Sequence, residues 1–346
     1  MANAQKTPPA EDFDTVHATL LSDYPELVRS LGGDPRALMS RAGLQCRPDA
    51  AKRLEPTYRQ LAGLLELSAR ELACPDFGMR LAQLQHLVED ASPIGRVMRT
   101  AATFGDALNF VITHNYAHSL ASRIWLHRLA PGTVFVGHDL LMESMASRTQ
   151  AIEQLLLVGH LNAVALTSGR ARVRQVYFRH QPISDPRSYQ RYFGCEVRFG
   201  QNADGVAYFD TDLAQPITHP DRQAHEALVA KIEQHFTLRR PPIHAEVRGA
   251  IMRLLGTGLC DNQRVAEDLH LNLRTLHRRL RAEGTTFQKV KDEVRRDILL
   301  YCLEQTSLPF SRISEQLGFS EQAVMTRKCR MWFAASPTQI RQSGQH

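Results

Sequence analysis

The sequence predicts an α+β N-terminal domain with a small, mainly antiparallel sheet. An all-α C-terminal domain follows, with two helix-turn-helix units on a linker helix. Three observations carry this prediction. The first two thirds open with helical periodicity and then change to short alternating segments between residues 122 and 209. The last third shows helical spacing alone. Between them, Arg239-Arg240-Pro241-Pro242 breaks the pattern, since proline fixes φ and lacks the N–H that a helix interior needs. The expected organisation is an α+β domain over 1–236, a linker over 237–243 and a helical domain over 244–346.

In the first domain, Pro35 to Ala42 follows Asp34, a good N-cap, and reads as a short helix. Glu55 to Ala73 places Tyr58, Leu61, Leu64, Leu65, Leu67 and Leu72 at helical spacings. Phe77 to Leu87 and Pro93 to Phe104 continue the helical character, Phe104-Gly105-Asp106 reads as a break, and Ala107 to Ser119 as another helix. Ser122 to Leu129 alternates and Thr133 to Val136 is β-rich, with Pro131-Gly132 between them, a hairpin pattern. Met145 to Ser168 is a long apolar helix, Val173 to Phe178 a strand and Pro186 to Phe193 a short helix. Val197 to Phe199 and Val206 to Phe209 are expected to pair as a second hairpin around Asn202 to Gly205. A helix over Asp221 to Phe236 leads out. Seven helices are expected beyond it, at about 243–255, 262–269, 273–283, 287–304, 309–316, 321–332 and 337–342.

Composition narrows the class. Hydrophobic residues make up 43% and charged residues 23% of 346, ordinary for a soluble globular chain. No apolar run approaches the roughly 18 residues of a membrane span, and Met1 to Phe13 lacks the apolar core of a secretory signal. A cytoplasmic protein with no membrane partner is expected. The six cysteines are dispersed without a CxxC pair and read as reduced thiols. The net charge is +6, and Pro241 to His346 holds 16 Lys+Arg against 11 Asp+Glu, whereas the rest holds 26 against 25. That asymmetry suggests a nucleic-acid-binding module on a neutral domain. On charge alone, a solvated basic surface accounts for it equally well.

The motifs decide between these readings. Gln263 to His270 is a short helix, Leu271-Asn272 a tight turn, and Asn272 caps a helix from Leu273 to Glu283. Leu273, Leu276 and Leu280 form its expected buried stripe, and Arg274, Thr275, His277, Arg278 and Arg281 its outer face. An α-helix fits the major groove, where Arg makes paired bonds to guanine. Phe310 to Gln316, the turn Leu317-Gly318-Phe319 and a helix capped by Ser320 repeat the pattern. Met325, Cys329 and Trp332 are expected inside, with Gln322, Ala323, Thr326, Arg327 and Arg330 outside. An amphipathic helix with Val290, Val294, Ile298 and Tyr301 joins the units.

The stretch Leu-Arg-Thr-Leu-His-Arg-Arg-Leu-Arg-Ala-Glu-Gly at 273–284 resembles the first recognition segment of AraC-family transcription regulators. Ile-Ser-Glu-Gln-Leu-Gly-Phe-Ser-Glu at 313–321, with Ser336-Pro337 after Trp332, resembles that family's C-terminal signature. The resemblance covers about 100 residues. It departs at Met325 and Cys329, where the family usually has aromatics, and at Ala334, where it often has Gly. The resemblance implies that both units enter successive major-groove segments of double-stranded DNA. By position, Arg274, His277, Arg278, Gln322 and Arg327 would contact bases. Asn272, Arg279, Arg281, Ser320, Lys328 and Arg330 would contact phosphates. A surface ion pair from Arg279 to Glu283 is the alternative for Arg279. It further implies an activator that works with RNA polymerase.

Phe77-Gly78-Met79-Arg80-Leu81, Ser92-Pro93-Ile94-Gly95 and Thr103 to Leu108 are similar to the effector domain of the arabinose-binding type, found in a non-cupin subset of these regulators. That label does not make arabinose the ligand. For an unidentified small-molecule effector, Arg123, Trp125 and His127 share one strand face and could hold a small anion, with a half-exposed sheet face as the plainer reading. His114 and His118 have a spacing that can bind metal, but no Glu or Cys is near, and neither metal nor cofactor is expected. Cys195 has nothing nearby to lower its pKa, and Ser119 and Ser122 lack a nucleophile elbow. The expected function is therefore a sequence-specific, effector-controlled regulator that is not an enzyme. The alternatives are an enzyme or ligand-binding domain with an accessory nucleic-acid module, and a nucleoid-type binder without sequence preference. A homodimer is expected through Asp221 to Phe236 or the helices before Phe104.

Overall fold

The computed structural model describes residues 13–16, 18–44, 56–85, 93–142, 148–236 and 240–344. The chain divides into two compact units, one mainly from Glu11–Leu140 and Ser147–Arg240, the other mainly from Pro241–His346.

The first unit opens with α1 (Tyr24–Ser30), α2 (Pro35–Arg41), α3 (Tyr58–Glu71), α4 (Phe77–Leu84), α5 (Pro93–Thr100) and α6 (Phe104–His114). Side-chain caps fix several starts. Asp34 accepts the Arg36 N–H before α2, and Thr57 and Gln60 form a reciprocal capping box on α3. A second box corrects the expected break at Phe104. Thr103 accepts the Asp106 N–H and Asp106 accepts the Thr103 N–H, so α6 begins at Phe104. Gly105 lies inside the helix, and a Cβ there would stand 3.0 Å from the Leu213 carbonyl, so its glycine serves close packing and not a break. Glu55 and Leu87, at the expected helix ends, lie outside the described residues.

The sheet follows with β1 (Ser122–Ala130) and β2 (Thr133–Leu140), then α7 (Thr149–Leu166), β3 (Gln175–Tyr177), α8 (Pro186–Phe193), β4 (Glu196–Arg198), β5 (Gly205–Phe209), α9 (Asp210–Leu213) and α10 (Arg222–His235). The first hairpin forms as expected, with Trp125 opposite Gly137. The second does not. The strand order is β1-β2-β5-β3-β4, so β3 lies between β4 and β5. α8 carries the chain from β3 to β4, whose pairing is parallel, and β5 pairs antiparallel with both β2 and β3. Gly205 is therefore a strand residue and not a turn residue. A Cβ there would come within 2.5 Å of Phe135 and of the Val136 carbonyl.

α7 is buried on nearly every side, including Gln150, Glu153 and Gln154. These polar groups tie distant segments together. Gln150 accepts the Gly78 N–H at 2.7 Å and donates to the Pro75 carbonyl at 2.7 Å. Gln154 donates to the Leu20 carbonyl and to Gln85. Tyr189 donates to Glu153 at 2.6 Å, and burial raises the Glu153 pKa well above its usual value. α4 can approach α7 this closely because residue 78 is glycine, where a Cβ would lie 2.2 Å from the Gln150 carbonyl. α10 lays Leu228, Val229 and Ile232, with Phe236 just after it, against α5 and α6.

The second unit is helical throughout its described residues: α11 (Ile243–Leu254), α12 (Asn262–Asp268), α13 (Leu273–Ala282), α14 (Phe287–Gln305), α15 (Phe310–Gln316), α16 (Gln322–Phe333) and α17 (Pro337–Gly344). The seven expected helices are present with ends moved by one or two residues. One core joins them through Val265, Leu276, Leu280, Val294, Leu299, Ile313, Leu317, Met325 and Cys329.

Candidate nucleic-acid interface

In the first helix-turn-helix, His270 takes φ 54 at the turn and the Asn272 side chain accepts the Thr275 N–H at 2.8 Å. α13 then presents its basic face. Leu276 and Leu280 are buried as expected, but Leu273 is 40% exposed. The inner stripe runs i, i+4 from Leu276, and Leu273, in the first turn, lies at its edge. Arg274, Arg278, Arg279 and Arg281 are exposed, and His277 is half-buried.

In the second unit, Gly318 makes the turn at φ 61, and a Cβ there would come within 2.7 Å of the Leu255 carbonyl. The expected cap at Ser320 is not formed. Glu321 occupies the N-cap position of α16, with no side-chain hydrogen bond, so the helix starts one residue later than a Ser320 cap would require. Met325 and Cys329 are buried and Trp332 is half-buried. Gln322, Arg327 and Arg330 are exposed. Ala334, where the resemblance leads one to look for glycine, closes α16 in the left-handed region at φ 54.

α14 braces both units. Arg295 donates to the Leu317 carbonyl at 2.9 Å and the Gly318 carbonyl at 2.6 Å, and its guanidinium covers Phe319. Lys328 is 2.9 Å from Asp292 of α14 and covers Trp332. Arg248, buried on α11, pairs with Asp297 at 3.0 Å. Arg341 of α17 donates to the Leu308 carbonyl.

This partition separates the basic residues of the unit. Arg248, Arg253, Arg264, Lys291, Arg295, Arg296, Arg312, Lys328 and Arg341 hold acidic or carbonyl partners. Arg274, Arg278, Arg279, Arg281, Lys289, Arg327 and Arg330 hold none among the described residues, and all seven are exposed. Six of the seven lie on α13 and α16. The alternative pairing of Arg279 with Glu283 is not made, because Glu283 turns to α11 and binds His244 and the Ile243 N–H.

The N-terminal candidates separate. Trp125 stacks on His127 and packs on Phe135, on the sheet face away from α5, α6 and α7. The opposite face, with Ile124, Val136, His138, Val206 and Tyr208, borders a half-open cavity of about 180 Å³. Arg123, Trp125 and His127 do not line it. His114 stacks on Phe110 and faces Glu233, while His118 faces Tyr58, so the two rings diverge. Ser119 donates to the Thr15 carbonyl, and Ser122 accepts from Asn115. Burial pushes the Cys195 thiol up to about 11, the opposite of a reactive thiolate. Cys46 lies outside the described residues.

Sequence reasoning missed Arg295 and His138, and gave Glu283 only as a partner for Arg279. Only His138 had a visible pattern, since Val134, Val136, His138 and Leu140 share one face of an alternating strand.

No described helix is long and apolar enough to cross a membrane. Two family models match the chain. One, described as the arabinose-binding domain of AraC transcription regulator, N-term, matches residues 32–217. The other, a helix-turn-helix domain, matches 265–343. The HTH-type transcriptional regulator VirS of Mycobacterium tuberculosis is 33% identical over 334 residues, covering 95% of this chain and 97% of that protein. The ornithine utilization regulator of Pseudomonas aeruginosa is 27% identical, covering 96% and 97%. Among solved structures, transcriptional regulator CdpR from Pseudomonas aeruginosa aligns over 78% of this chain and 87% of its own, at 22% identity and a TM-score of 0.40. The chain belongs to the AraC-type transcription regulators, as a DNA-binding regulator controlled by a ligand.

Proposed function

We propose that α13 and α16 each enter a major-groove segment, with Arg274, His277 and Arg278 on bases from the first helix and Gln322 and Arg327 from the second. Asn272, Arg279, Arg281, Ser320 and Arg330 meet phosphates, which add affinity without sequence information. The observation that carries this reading is the concentration of partnerless basic side chains on these two helices. Lys328 is assigned a different role. Its ammonium is committed to Asp292, so it braces α16 against α14.

The protein acts in the cytoplasm as an activator and not as an enzyme, and contacts RNA polymerase once bound. A ligand in the N-terminal unit shifts a pre-existing equilibrium between arrangements of the DNA-binding parts. A homodimer doubles the contacted DNA. Its contact is Asp221 to Phe236 or the helices before Phe104; the packing of the apolar side of α10 on α5 and α6 favours the helices before α5. The test is transcription from a promoter carrying the chain's selected DNA site, with purified RNA polymerase. Added protein should raise transcript yield. A fall in yield would make it a repressor, and no change would remove the polymerase contact.

A further inference from the structure

The cavity in the N-terminal unit has a chemical character that neither the family label nor the arrangement of Arg123, Trp125 and His127 suggests. It is a half-open cleft between Leu20, α5, α6 with the residues just after it, α7 and the inner face of the sheet, with Gly159 exposed in its wall. Its wall is mostly hydrocarbon, including Ile94, Met98, Leu108, Val111 and Leu155, and among the described lining residues none carries Asp, Glu, Lys or Arg. Of its polar side chains, Asn115 is bonded to Ser119 and Ser122 and His118 meets Tyr58, which leaves Tyr208, His138 and Asn162 facing it. His138 has a buried Nε2 with no hydrogen-bond partner. Asn162 of α7 makes no side-chain hydrogen bond among the described residues.

From this wall we infer that the cavity is a binding site for a small uncharged, largely apolar molecule bearing one hydrogen-bonding group, such as a hydroxyl or carbonyl, which pairs with His138. This rests on the reading of the chain as a ligand-controlled regulator. A buried polar atom without a partner is costly, and a ligand hydroxyl repairs it. A carboxylate would enter without a counter-charge, and the imidazole supplies none, since burial holds its pKa down to about 4. A sugar carries more hydroxyls than Tyr208, His138 and Asn162 can pair, and would bury the rest against hydrocarbon. The volume, about 180 Å³, compares with the roughly 150 Å³ cavity that takes up benzene. α5 also links the site outward, lining the cavity with Ile94 and Met98 and meeting α10 through Val97.

Gly159 of α7 supplies a clean probe. It lines the cavity, and a Cβ there meets no atom within 4 Å. The experiment measures binding and thermal melting of the full chain with para-ethylphenol, ethylbenzene, para-ethylbenzoate and arabinose. Para-ethylphenol should bind most tightly and raise Tm by roughly 5 °C near saturation. Ethylbenzene, lacking the hydroxyl, and para-ethylbenzoate and arabinose should each bind at least about tenfold more weakly. Gly159→Leu should fold with an undiminished Tm and lose para-ethylphenol binding. His138→Leu should erase the preference for the phenol over ethylbenzene. Tighter binding of the benzoate or arabinose would overturn the inference. So would undiminished phenol binding by Gly159→Leu, or no binding of either apolar probe by the folded chain. DNA affinity measured in parallel separates the two readings. Its loss contradicts the regulator, whereas failed probe binding with DNA affinity intact contradicts the cavity assignment alone.

Discussion

Glu283 holds His244 in a closed pair, with Oε2 2.7 Å from Nδ1 of the ring and accepting the His244 backbone N–H at 3.0 Å. Oε1 accepts the Ile243 N–H at 2.8 Å. The carboxylate sits at the C-cap of α13 and caps the first turn of α11, whose N-cap Pro242 makes no side-chain cap. One residue therefore joins the interface to the point where the linker enters the unit.

Glu283→Ala should destabilise the C-terminal unit by about 1–3 kcal/mol, the range for a lost charged cap. Burial pushes the Glu283 pKa up, but the His244 ring and the two backbone N–H groups outweigh it and leave the carboxyl below its usual value. The contribution is thus fully present above pH 4.5 and fades as pH falls through the lower folded value. Urea denaturation of wild type and variant between pH 7 and about 3 checks this. A difference that grew on acidification would contradict it.

Ala334→Gly should stabilise the second helix-turn-helix by about 1 kcal/mol, because Ala334 holds a left-handed φ of 54. Its position is exposed, so little packing is lost. The readout is the denaturation midpoint, with DNA affinity unchanged. A lowered midpoint would show that the Cβ makes a contact worth more than the strain.

Gly318→Ala should act in the opposite direction. It adds a Cβ at φ 61 facing the Leu255 carbonyl at 2.7 Å, and a cost of about 1–3 kcal/mol is expected. Arg295→Ala, which frees the Leu317 and Gly318 carbonyls, should loosen the same turn. Hydrogen exchange at residues 317–319 would register both, and protection equal to wild type would dismiss the brace.

Acid should weaken the N-terminal unit through histidines. Burial holds His138 and His160 down to about 4 from 6.5. The unfolded chain therefore binds protons between these values and the folded chain does not. Stability is insensitive to these groups above pH 6.5 and falls by up to about 3 kcal/mol for each between 6.5 and 4. His160→Phe should flatten part of that slope. An unchanged slope would remove His160 from the account.

The helical domain was legible in the sequence almost residue by residue, since its helices carry local caps such as Asn272 and a repeated apolar spacing. The sheet was legible only where pairing is local. β1 and β2 follow each other through Pro131-Gly132, but β5 pairs with strands that precede it by dozens of residues, and nothing near Val206 announces this. Capping at Thr103 and Asp106 was readable and was outweighed by Gly105. The basic recognition faces were visible, whereas the division between Lys328, held by Asp292, and exposed Arg330 depends on how α14 packs on α16. The cavity was hidden for the same reason, because its wall draws on seven separate segments.

In the proposed function, α13 and α16 each read one stretch of DNA. Selection of sites by the full chain from a randomised duplex pool tests it most directly. Wild type should enrich two elements about one helical turn, roughly 10 base pairs, apart. Arg278→Ala should relax one position in one element, and Arg327→Ala one position in the other, each at a cost of about 1–3 kcal/mol. Enrichment of no sequence, or both substitutions altering the same element, would contradict the account.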